Sequence, residues 1–414
     1  MLINVYICEF TNVNKKMIQN TSFRSFTKNV INKTSLFLMK VVHLKKNKNR
    51  MSAFNNHRVQ NISKRYITNQ HLESFLETLN PAIFRQTEAG KSVLKQPIYR
   101  LDFGTGSFKI LLWSQMHGNE ATTTKAVIDI LNEINLGKHS EWLSHFSFTF
   151  LPVLNPDGAK AYTRANANNV DLNRDSKNLT QPESKALREV FEEVQPDLAL
   201  NMHDQRTIFS AGSEAHPATL SFLAPSFNES RDVNEVRLFA MQLIAQMANN
   251  LKTIIPDQVG RFDDSFNINC IGDMCTFLNV PTILFEAGHY QDDYDREITR
   301  DVVFLSLKKL FNSLIAKDYK NFSLEDYLKI PENEKNFVDI VIENFSVSTD
   351  ELLKKCKKIP VQLKEVLNND KVEFHPVIDF ESAPDFKYGH RILNINGLEI
   401  NSENDLQKVI EKRL

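Results

Sequence analysis

The feature that most constrains this chain is an alternation of short apolar runs with longer amphipathic stretches, which continues to about residue 316. The apolar runs have the length of buried strands, and they lie at 97–104, 108–113, 146–154, 197–202 and 281–286. Apolar residues recur with helical spacing before and between these runs, and helices are predicted over 69–79, 122–136, 179–194, 232–251 and 296–316. Strands that alternate with helices predict an α/β domain whose largely parallel sheet is covered by helices on both faces.

The helix predicted over 179–194 has the clearest local start signal. Thr180 and Glu183 stand in the spacing of a capping box, in which two side chains satisfy the first unpaired backbone amides of a helix. Pro182 falls in the first turn, where its missing N–H does no harm. We therefore expect a helix that is capped by Thr180.

The pattern changes after about residue 320. The segments NFVDIVIENFSV, KVEFHPVIDF and RILNINGLEI alternate apolar and polar residues and are separated by Pro, Asn and Gly. Such alternation is typical of short strands in a sheet with one covered face. We predict a main domain over 65–318 and a small β-rich segment over 320–414.

The first 50 residues differ from the rest in charge. They contain ten Lys and Arg residues against the single acid Glu9, whereas the whole chain has a net charge of -1. Without a helical or strand period, residues 1–50 are predicted to be a disordered arm or a start that lies too early, with Met51 as the alternative first residue. Contact of this arm with RNA or an anionic surface is the functional alternative. The remaining chain is mildly acidic, so no nucleic-acid substrate is expected.

Neither a membrane span nor a secretory signal is predicted. The longest apolar stretch near the N-terminus, 36–44, is interrupted by Lys40 and is far shorter than the roughly 20 residues of a spanning helix. The first residues do not follow the basic, apolar, small-residue order of a signal peptide. Four cysteines in a chain of 414 residues do not form a disulfide framework, and Cys270 and Cys275 fit reduced thiols at least as well as a bridge. We therefore expect a cytoplasmic protein.

Candidate metal ligands follow two of the predicted strands. His117 and Glu120 stand in the sequence MHGNE directly after one strand, and His203 follows another. Two histidines and a glutamate are a ligand set of catalytic zinc, and the carboxyl ends of parallel strands meet at one edge of a sheet. The H-x-x-E spacing alone is weak evidence, and a lone histidine at a strand end is more often structural. Asp204 is a candidate to orient one of the imidazoles.

Glu286 ends the apolar run PTILFE. A carboxylate in such a position is expensive to bury unless it is paired or used. A structural salt bridge and a general base that takes a proton from water are the two interpretations.

The segment LNPDGAKAYTRANANNVDLNRD follows the strand at 146–154 and begins with a strong turn signal, Asn155–Gly158. Arg164, Asn173 and Arg174 then bring two guanidiniums and an amide close together in sequence. Such a cluster suits an anionic substrate group or an oxyanion, and a solvated basic loop is the alternative.

Taken in this order, the motifs resemble the zinc carboxypeptidase family, M14. The resemblance covers roughly residues 90–315 and rests on His117 with Glu120, Asn155–Gly158, Arg164, Asn173 with Arg174, His203 and Glu286. It implies a three-layer α/β/α fold with a mostly parallel mixed sheet. It also implies one Zn²⁺ per chain, held by His117, Glu120 and His203.

The implied activity is hydrolysis of C-terminal peptide bonds through a metal-activated water. Glu286 would be the base and then the acid, and Arg164 would polarise the scissile carbonyl and stabilise the oxyanion. Asn173 and Arg174 would hold the C-terminal carboxylate of the substrate. The implied substrate is a peptide with a free carboxylate.

The sequence departs from the digestive members of the family at one position. These members have an active-site tyrosine in the stretch before the catalytic glutamate, whereas residues 252–285 contain no Tyr. Tyr162 and Tyr290 are the candidates to replace it. The same stretch lines the specificity pocket in the family, and the candidates here are Phe266, Ile268, Ile271 and Asp273, with surface loops as the alternative.

Two other functions remain open. The sequence HGNE also occurs in the related succinylglutamate desuccinylase and aspartoacylase branch, whose members cleave N-acyl amino acids and often have an extra C-terminal β-rich segment. A deacylase of N-acyl amino acids is therefore the second hypothesis. A binding module without catalysis is the third, and it predicts the loss of a ligand or of the base, neither of which is missing.

Overall fold

The computed structural model describes residues 57–348, 354, 356–379 and 385–413. The basic arm predicted for residues 1–50 lies outside the described residues. Within the described part of the chain, no helix combines the length and apolar character needed to cross a membrane. Cys270 and Cys275 are thiols and are not bonded to each other.

Eight of the described strands form one sheet in the order β1-β2-β4-β3-β5-β9-β7-β8. The strands are β1 (Phe84–Lys91), β2 (Pro97–Phe103), β3 (Phe108–Ser114), β4 (Phe146–Leu151), β5 (Leu198–Asp204), β6 (Ser210–Ala211, outside this sheet), β7 (Leu220–Leu223), β8 (Val259–Arg261) and β9 (Thr282–Ala287). The central strands β4, β3, β5 and β9 are parallel, whereas β1, β2 and β7 form antiparallel pairs. The predicted mostly parallel mixed sheet is confirmed.

Helices cover both faces of this sheet. They are α1 (Asn69–Leu76), α2 (Thr122–Asn135), α3 (Ser140–His145), α4 (Pro156–Ala161), α5 (Pro182–Val194), α6 (Glu235–Leu251), α7 (Ile271–Phe277), α8 (Glu297–Ala316) and α9 (Leu324–Leu328). In β3, Ile110 and Leu112 belong to a hydrophobic cluster with α2, α6 and α8, whereas Leu111 and Trp113 belong to one with α5 and α7. Because successive strand residues point to opposite faces, the two clusters lie on opposite sides and the fold has three layers.

The helix predicted over 179–194 forms, but its predicted capping box does not. Helix α5 begins at Pro182 after Gln181, and no side chain caps it. The backbone N–H and the hydroxyl of Thr180 donate instead to Asp175, at 2.9 and 2.7 Å. The Glu183 carboxylate accepts hydrogen bonds from two other segments. Contacts between segments therefore replace the local ones that the spacing suggested.

A second sheet follows residue 330, which confirms the predicted β-rich character of this part. Its strands are β11 (Phe337–Ser346), β12 (Ile359–Asn368), β13 (Lys371–Ile378) and β14 (Tyr388–Glu399), preceded by β10 (Asn333–Glu334), which pairs with β6. The order is β13-β12-β11-β14. Asn369 and Asp370 join β12 to β13 with positive φ angles of 45° and 62°, as a two-residue hairpin turn requires. A terminal helix, α10 (Glu403–Arg413), was not predicted.

The second sheet contacts the loops at the carboxyl ends of β5 and β9. Phe337 donates its N–H to the carbonyl of Ile208 at 3.0 Å, and His390 Nε2 donates to the carbonyl of Thr207 at 2.7 Å. The Tyr294 hydroxyl, which follows β9, donates to Asp339 of β11 at 3.1 Å. The second sheet therefore packs at the end of the central sheet where the candidate ligands lie.

Candidate active site

The candidate ligands lie together at the carboxyl ends of three central strands. His117 and Glu120 occupy the loop that follows β3. His203 is the second-last residue of β5, and Glu286 is the second-last residue of β9. In the parallel pairing of β5 with β9, His203 is the register partner of Glu286. Because paired residues of neighbouring strands point to the same face, the structure brings these two side chains side by side.

The loop that contains His117 is held by backbone contacts. The side-chain amide of Gln115 donates to the carbonyls of Ile67 and Gly118, both at 3.0 Å. Gly118 lies directly against the backbone of Gly158, so that a Cβ atom at residue 118 would come within 1.9 Å of the Gly158 carbonyl carbon. The predicted turn at Asn155–Gly158 is the start of α4, where the Asn155 side chain accepts from the N–H of Gly158. This turn therefore supports the loop with the ligands.

Three ligand atoms converge in this loop region. His117 Nδ1 lies 2.8 Å from Glu120 Oε1, and His203 Nδ1 lies 2.8 Å from Glu120 Oε2. The two Nδ1 atoms are 3.1 Å apart. The residues form the one cluster of three potential metal ligands found among the described residues, and their ligand atoms lie within 4.8 Å of one another. Two imidazoles and a carboxylate match the ligand set of catalytic zinc.

The protonation that these contacts impose also fits a cation. His117 Nε2 lies 3.0 Å from Asp171 Oδ1, and a carboxylate can only accept, so Nε2 carries a proton and Nδ1, which faces Glu120, is the nitrogen left to bind a metal ion. His203 Nε2 is buried and has no hydrogen-bond partner. The two Nδ1 atoms and the Glu120 carboxylate converge on one point, where a bound metal ion would take the place of the protons that they share. The residues present therefore fit zinc.

The charges at the site are strongly coupled. Burial acts to raise the pKa of Glu120, but the imidazoles of His117 and His203 outweigh it and hold that pKa well below its usual range. Burial lowers the pKa of His203, which keeps its imidazole neutral. For His117, burial is outweighed by Glu120 and Asp171, and the pKa is raised. An anionic carboxylate beside a neutral imidazole is the state in which both bind a metal.

Glu286 has the opposite electrostatic environment. Its pKa is raised well above the usual value, first by burial and then by the negative charges of Glu120 and Asp204. No salt bridge to Glu286 occurs among the described residues, and the Arg164 guanidinium pairs with Glu120 and Asp171 instead. The structural salt bridge that the sequence left open is therefore absent from the described residues. A carboxyl group with a raised pKa is suited to exchange a proton with a reacting group.

Arg164 lies at the mouth of the site. Its side chain is 50% exposed, and it donates to Asp171 Oδ2 through Nε at 3.1 Å and through Nη2 at 3.0 Å. Its Nη1 also donates to Glu120 Oε1 at 3.4 Å. The guanidinium is thus aimed at the ligand cluster and keeps an exposed side.

Asn173 and Arg174 lie beside the N-terminus of α7. The Asn173 side chain accepts from the N–H of Ile271 at 3.0 Å, and Arg174 Nη1 donates to the carbonyl of Asn173 at 2.7 Å and contacts Cys270 Sγ at 3.2 Å. Arg174 is exposed and has no carboxylate partner among the described residues. Its charge is available to an anion from outside the chain.

The sequence interpretation of Asp204 changes. Asp204 does not orient an imidazole, because its carboxylate accepts from the N–H groups of Thr122 and Thr123 at the start of α2. Asp171 has that position instead, and the sequence offered one signal for it, an aspartate two residues before Asn173.

The two candidate tyrosines have other contacts. The Tyr162 hydroxyl donates to Glu365 of β12. Tyr290 is half-buried and packs against the main hydrophobic cluster. Neither residue lines the cavity that contains Glu120 and Arg164.

With this geometry established, comparison with known proteins gives the family. A family model described as zinc carboxypeptidase matches residues 70–274, about half of the chain. The chain belongs to the zinc carboxypeptidase family. The matched range includes the three candidate metal ligands of this chain. Glu286 lies beyond the end of the matched range.

Individual relatives match shorter segments. Carboxypeptidase 2 of Trichophyton tonsurans is 30% identical over 135 residues, which are 31% of this chain and 22% of that protein. Carboxypeptidase SOL1 of Arabidopsis thaliana is 27% identical over 168 residues, 34% of each chain. The chain thus spans about a fifth of the length of the first relative. Among solved structures, carboxypeptidase A from Helicoverpa armigera is similar with a TM-score of 0.47 and 16% identity, over 66% of this chain and 82% of that chain.

Proposed function

We propose that the protein is a zinc-dependent metallocarboxypeptidase that hydrolyses C-terminal peptide bonds. The observation that carries the proposal is the convergence of His117, Glu120 and His203 beside Glu286, in a chain that belongs to the zinc carboxypeptidase family. The names of the relatives, carboxypeptidases from two kingdoms of organisms, are consistent with it.

His117, Glu120 and His203 would hold one zinc ion. Bound zinc supplies Lewis acidity, which polarises a carbonyl and makes water a nucleophile near neutral pH. Asp171 keeps the proton of His117 on Nε2 and leaves Nδ1 available as a ligand atom.

Glu286 is the proton carrier in this mechanism. It takes a proton from the attacking water as the water oxygen bonds to the scissile carbonyl carbon, and it returns a proton to the amine as the C–N bond breaks. The raised pKa of Glu286, caused by burial and then by Glu120 and Asp204, favours the protonated form that the second step needs.

Arg164 and the pair Asn173 and Arg174 bind the substrate. The exposed side of the Arg164 guanidinium donates hydrogen bonds to the carbonyl oxygen as that oxygen gains negative charge. Asn173 and Arg174 hold the C-terminal carboxylate, for which Arg174 has an unpaired guanidinium.

Metal analysis together with hydrolysis tests the proposal. We expect about one zinc per chain, in line with one three-ligand site, and loss of hydrolysis of blocked dipeptides after chelation. Activity that survives removal of all metal would contradict the proposal. The same preparation is assayed on N-succinyl and N-acetyl amino acids, and turnover of these alone would indicate a deacylase instead.

Arg174→Ala tests the assignment of the carboxylate. We expect KM to rise by about 10- to 100-fold for a blocked dipeptide with a free carboxylate, because a charge-assisted pair is lost. The C-terminally amidated form of the same peptide serves as the control. An equal loss on both forms would assign Arg174 to another role. The cytoplasmic location and the domain limits of 65–318 and 320–414 stay predictions.

A further inference from the structure

A cavity of about 430 Å³ opens beside the candidate metal ligands. Glu120 and Arg164 line the cavity from the loops at the end of the eight-stranded sheet. Leu363, Lys364 and Glu365 line it from β12 of the second sheet. The hairpin of β12 and β13 therefore forms part of the wall of the space that reaches the candidate metal centre.

Glu365 fixes the hairpin of β12 and β13 to Arg65 and Tyr162, which precede the second sheet in the sequence. Arg65 Nη2 donates to the two carboxylate oxygens of Glu365 at 2.8 and 3.0 Å, and the Tyr162 hydroxyl donates to the same carboxylate. The Arg65 side chain is only 7% exposed and that of Glu365 is 26% exposed, so the arginine side of the pair is shielded from water. Tyr162 follows α4 in a left-handed conformation with φ of 54°, which directs it away from the helix toward the hairpin. The position of the hairpin relative to the metal centre is thus set by buried polar contacts.

The cavity wall has four cationic and four anionic side chains, but two of the cations have no ion-pair partner among the described residues. Arg65, Arg164, Asp204 and Glu365 all have partners, and Asp379 has an interaction of its own. Arg206 and Lys364 are exposed, and neither takes part in an ion pair with any residue that the structure describes. Two unpaired cations in one cavity attract an anionic group.

The cavity lies on the side that a substrate's acyl portion would occupy. Asn173 and Arg174, the proposed carboxylate grip, lie beside α7, and neither lines the cavity. A peptide held there by its C-terminus and cleaved at the metal centre would extend its N-terminal portion past Arg164, which lines the cavity. The residue on the acyl side of the scissile bond is therefore the one that meets Arg206 and Lys364.

We propose that Arg206 and Lys364 form a cationic subsite for a carboxylate on the acyl side of the scissile bond. The proposal rests on the proposed function and deepens it by naming the substrate class. Because Lys364 belongs to the hairpin, the second sheet takes part in substrate selection.

The test compares zinc-loaded protein on blocked dipeptides that differ only in Glu or Gln on the acyl side. We expect kcat/KM to be about five- to tenfold higher for the Glu peptide, since two partly exposed ion pairs each add only a few-fold. The double variant Arg206→Gln, Lys364→Gln is expected to reduce the ratio to about one. Lys371→Gln, an exposed lysine of the same hairpin that does not line the cavity, keeps the original ratio.

A second substrate pair, an N-succinyl and an N-acetyl amino acid, distinguishes a dicarboxylic acyl group from an acidic side chain as the source of the carboxylate. A preference in either pair that the double variant removes supports the subsite. Equal rates in both pairs, or a preference that survives in the double variant, would overturn it.

Failure of the proposed function is distinguishable from failure of the subsite. If neither member of a pair is hydrolysed, the affinity of Glu286→Gln for both peptides is measured by calorimetry. Tighter binding of the Glu peptide, lost in the Arg206→Gln, Lys364→Gln background, keeps the subsite although the activity is wrong. Equal affinities overturn the subsite as well.

Discussion

Asp171, which belongs to none of the sequence motifs, connects three residues of the candidate site. Its Oδ1 lies 3.0 Å from Nε2 of His117 and accepts from the N–H of Asn173 at 2.9 Å, and its Oδ2 accepts from Arg164. Burial acts to raise the pKa of Asp171, but His117 and Arg164 outweigh it and lower that pKa. One carboxylate thus sets the tautomer of a ligand, the direction of a guanidinium and the start of the turn that presents Arg174.

Glu286→Gln is the residue-scale prediction. Glutamine keeps the size of the side chain but cannot carry the proton, so we expect kcat to fall by about 100- to 10,000-fold with unchanged zinc content. Steady-state kinetics and metal analysis measure the two effects. Glu189→Gln, at an exposed position of α5, is the control. Near-normal turnover in the Glu286 variant would remove the proton-carrier role.

At the residue scale, site residues that stand in recognisable motifs could be predicted from the sequence. Site residues that contact the motif residues from a distant part of the chain could not. His117 and Glu120 are three residues apart, whereas Asp171 meets His117 from 54 residues away, a distance that no local pattern reports. The interpretation of Asp204 was wrong because neighbouring residues of a strand point to opposite faces, so its carboxylate cannot follow the side chain of His203.

At the scale of structural elements, a contact between the ligand loop and the start of α4 determines where the candidate metal ligands lie. Gly118 of the ligand loop and Gly158 of α4 pack backbone against backbone. Asn155 adds hydrogen bonds to both sides, with its side chain donating to the carbonyl of Met116 at 3.2 Å and accepting from Gly158 at 2.9 Å. The two motifs are parts of one structural unit.

Gly118→Ala is the prediction at this scale. The new methyl group would overlap with the Gly158 backbone, so the ligand loop must move, and we expect a loss of about 1–3 kcal/mol in stability together with weaker zinc binding. Chemical unfolding and zinc titration measure both. Gly137→Ala is the control, because its left-handed alanine adds backbone strain of its own but no atom lies within 4 Å of the new group, so zinc binding is expected to stay normal. Zinc affinity that is equal in the two variants would contradict the explanation.

The order of the longer strands and helices was predictable because it depends on local periodicity, whereas shorter elements such as β7, β8, α3 and α7, and also β12, were not predicted. Two further omissions, β1 and α10, have a clear cause. Strand β1 has the sequence FRQTEAGK, in which only Phe84 is buried, so it lacks the apolar alternation of an inner strand. It forms because it pairs with β2 at the edge of the sheet. Helix α10 is short and polar, and its Leu406 and Ile410 pack on the second sheet.

At the scale of the whole molecule, buried histidines lie where the two sheets meet. The rings of His289 and His390 are 4.2 Å apart, and His390 stacks on Phe337 at 4.3 Å. Both nitrogens of His289 are buried without a hydrogen-bond partner. Burial lowers the pKa of His390 to about 4 and lowers the pKa of His289 well below its usual value, with the cation Arg296 adding to both effects.

The junction is therefore predicted to weaken in acid. The unfolded chain takes up a proton on His390 near its ordinary pKa of 6.5 and the folded chain only near 4, so stability is complete above pH 6.5 and falls toward pH 4. We expect His390→Gln to reduce the loss of unfolding free energy between pH 7 and pH 5 by about 2 kcal/mol. Chemical unfolding at both pH values measures it. His375→Gln, with a side chain that is 53% exposed, is the control, and an equal change in both variants would contradict the assignment.

The layered architecture followed from the alternation in the sequence, whereas the junction of the sheets did not. Arg65 and Glu365 are 300 residues apart, and each stands in a segment without a motif. Contacts of this kind depend on the packing of completed sheets, which periodicity does not describe.

The contacts of Arg65 and Tyr162 with Glu365 also determine how far the protein can be shortened. A truncated form that ends before β12 would leave the Arg65 guanidinium, which is 7% exposed, and the Tyr162 hydroxyl without their anion. An unpaired buried cation is costly, and Tyr162 directly follows the helix that supports the ligand loop. The smallest form suited to recombinant expression therefore includes the second sheet, even though the candidate ligands all precede it.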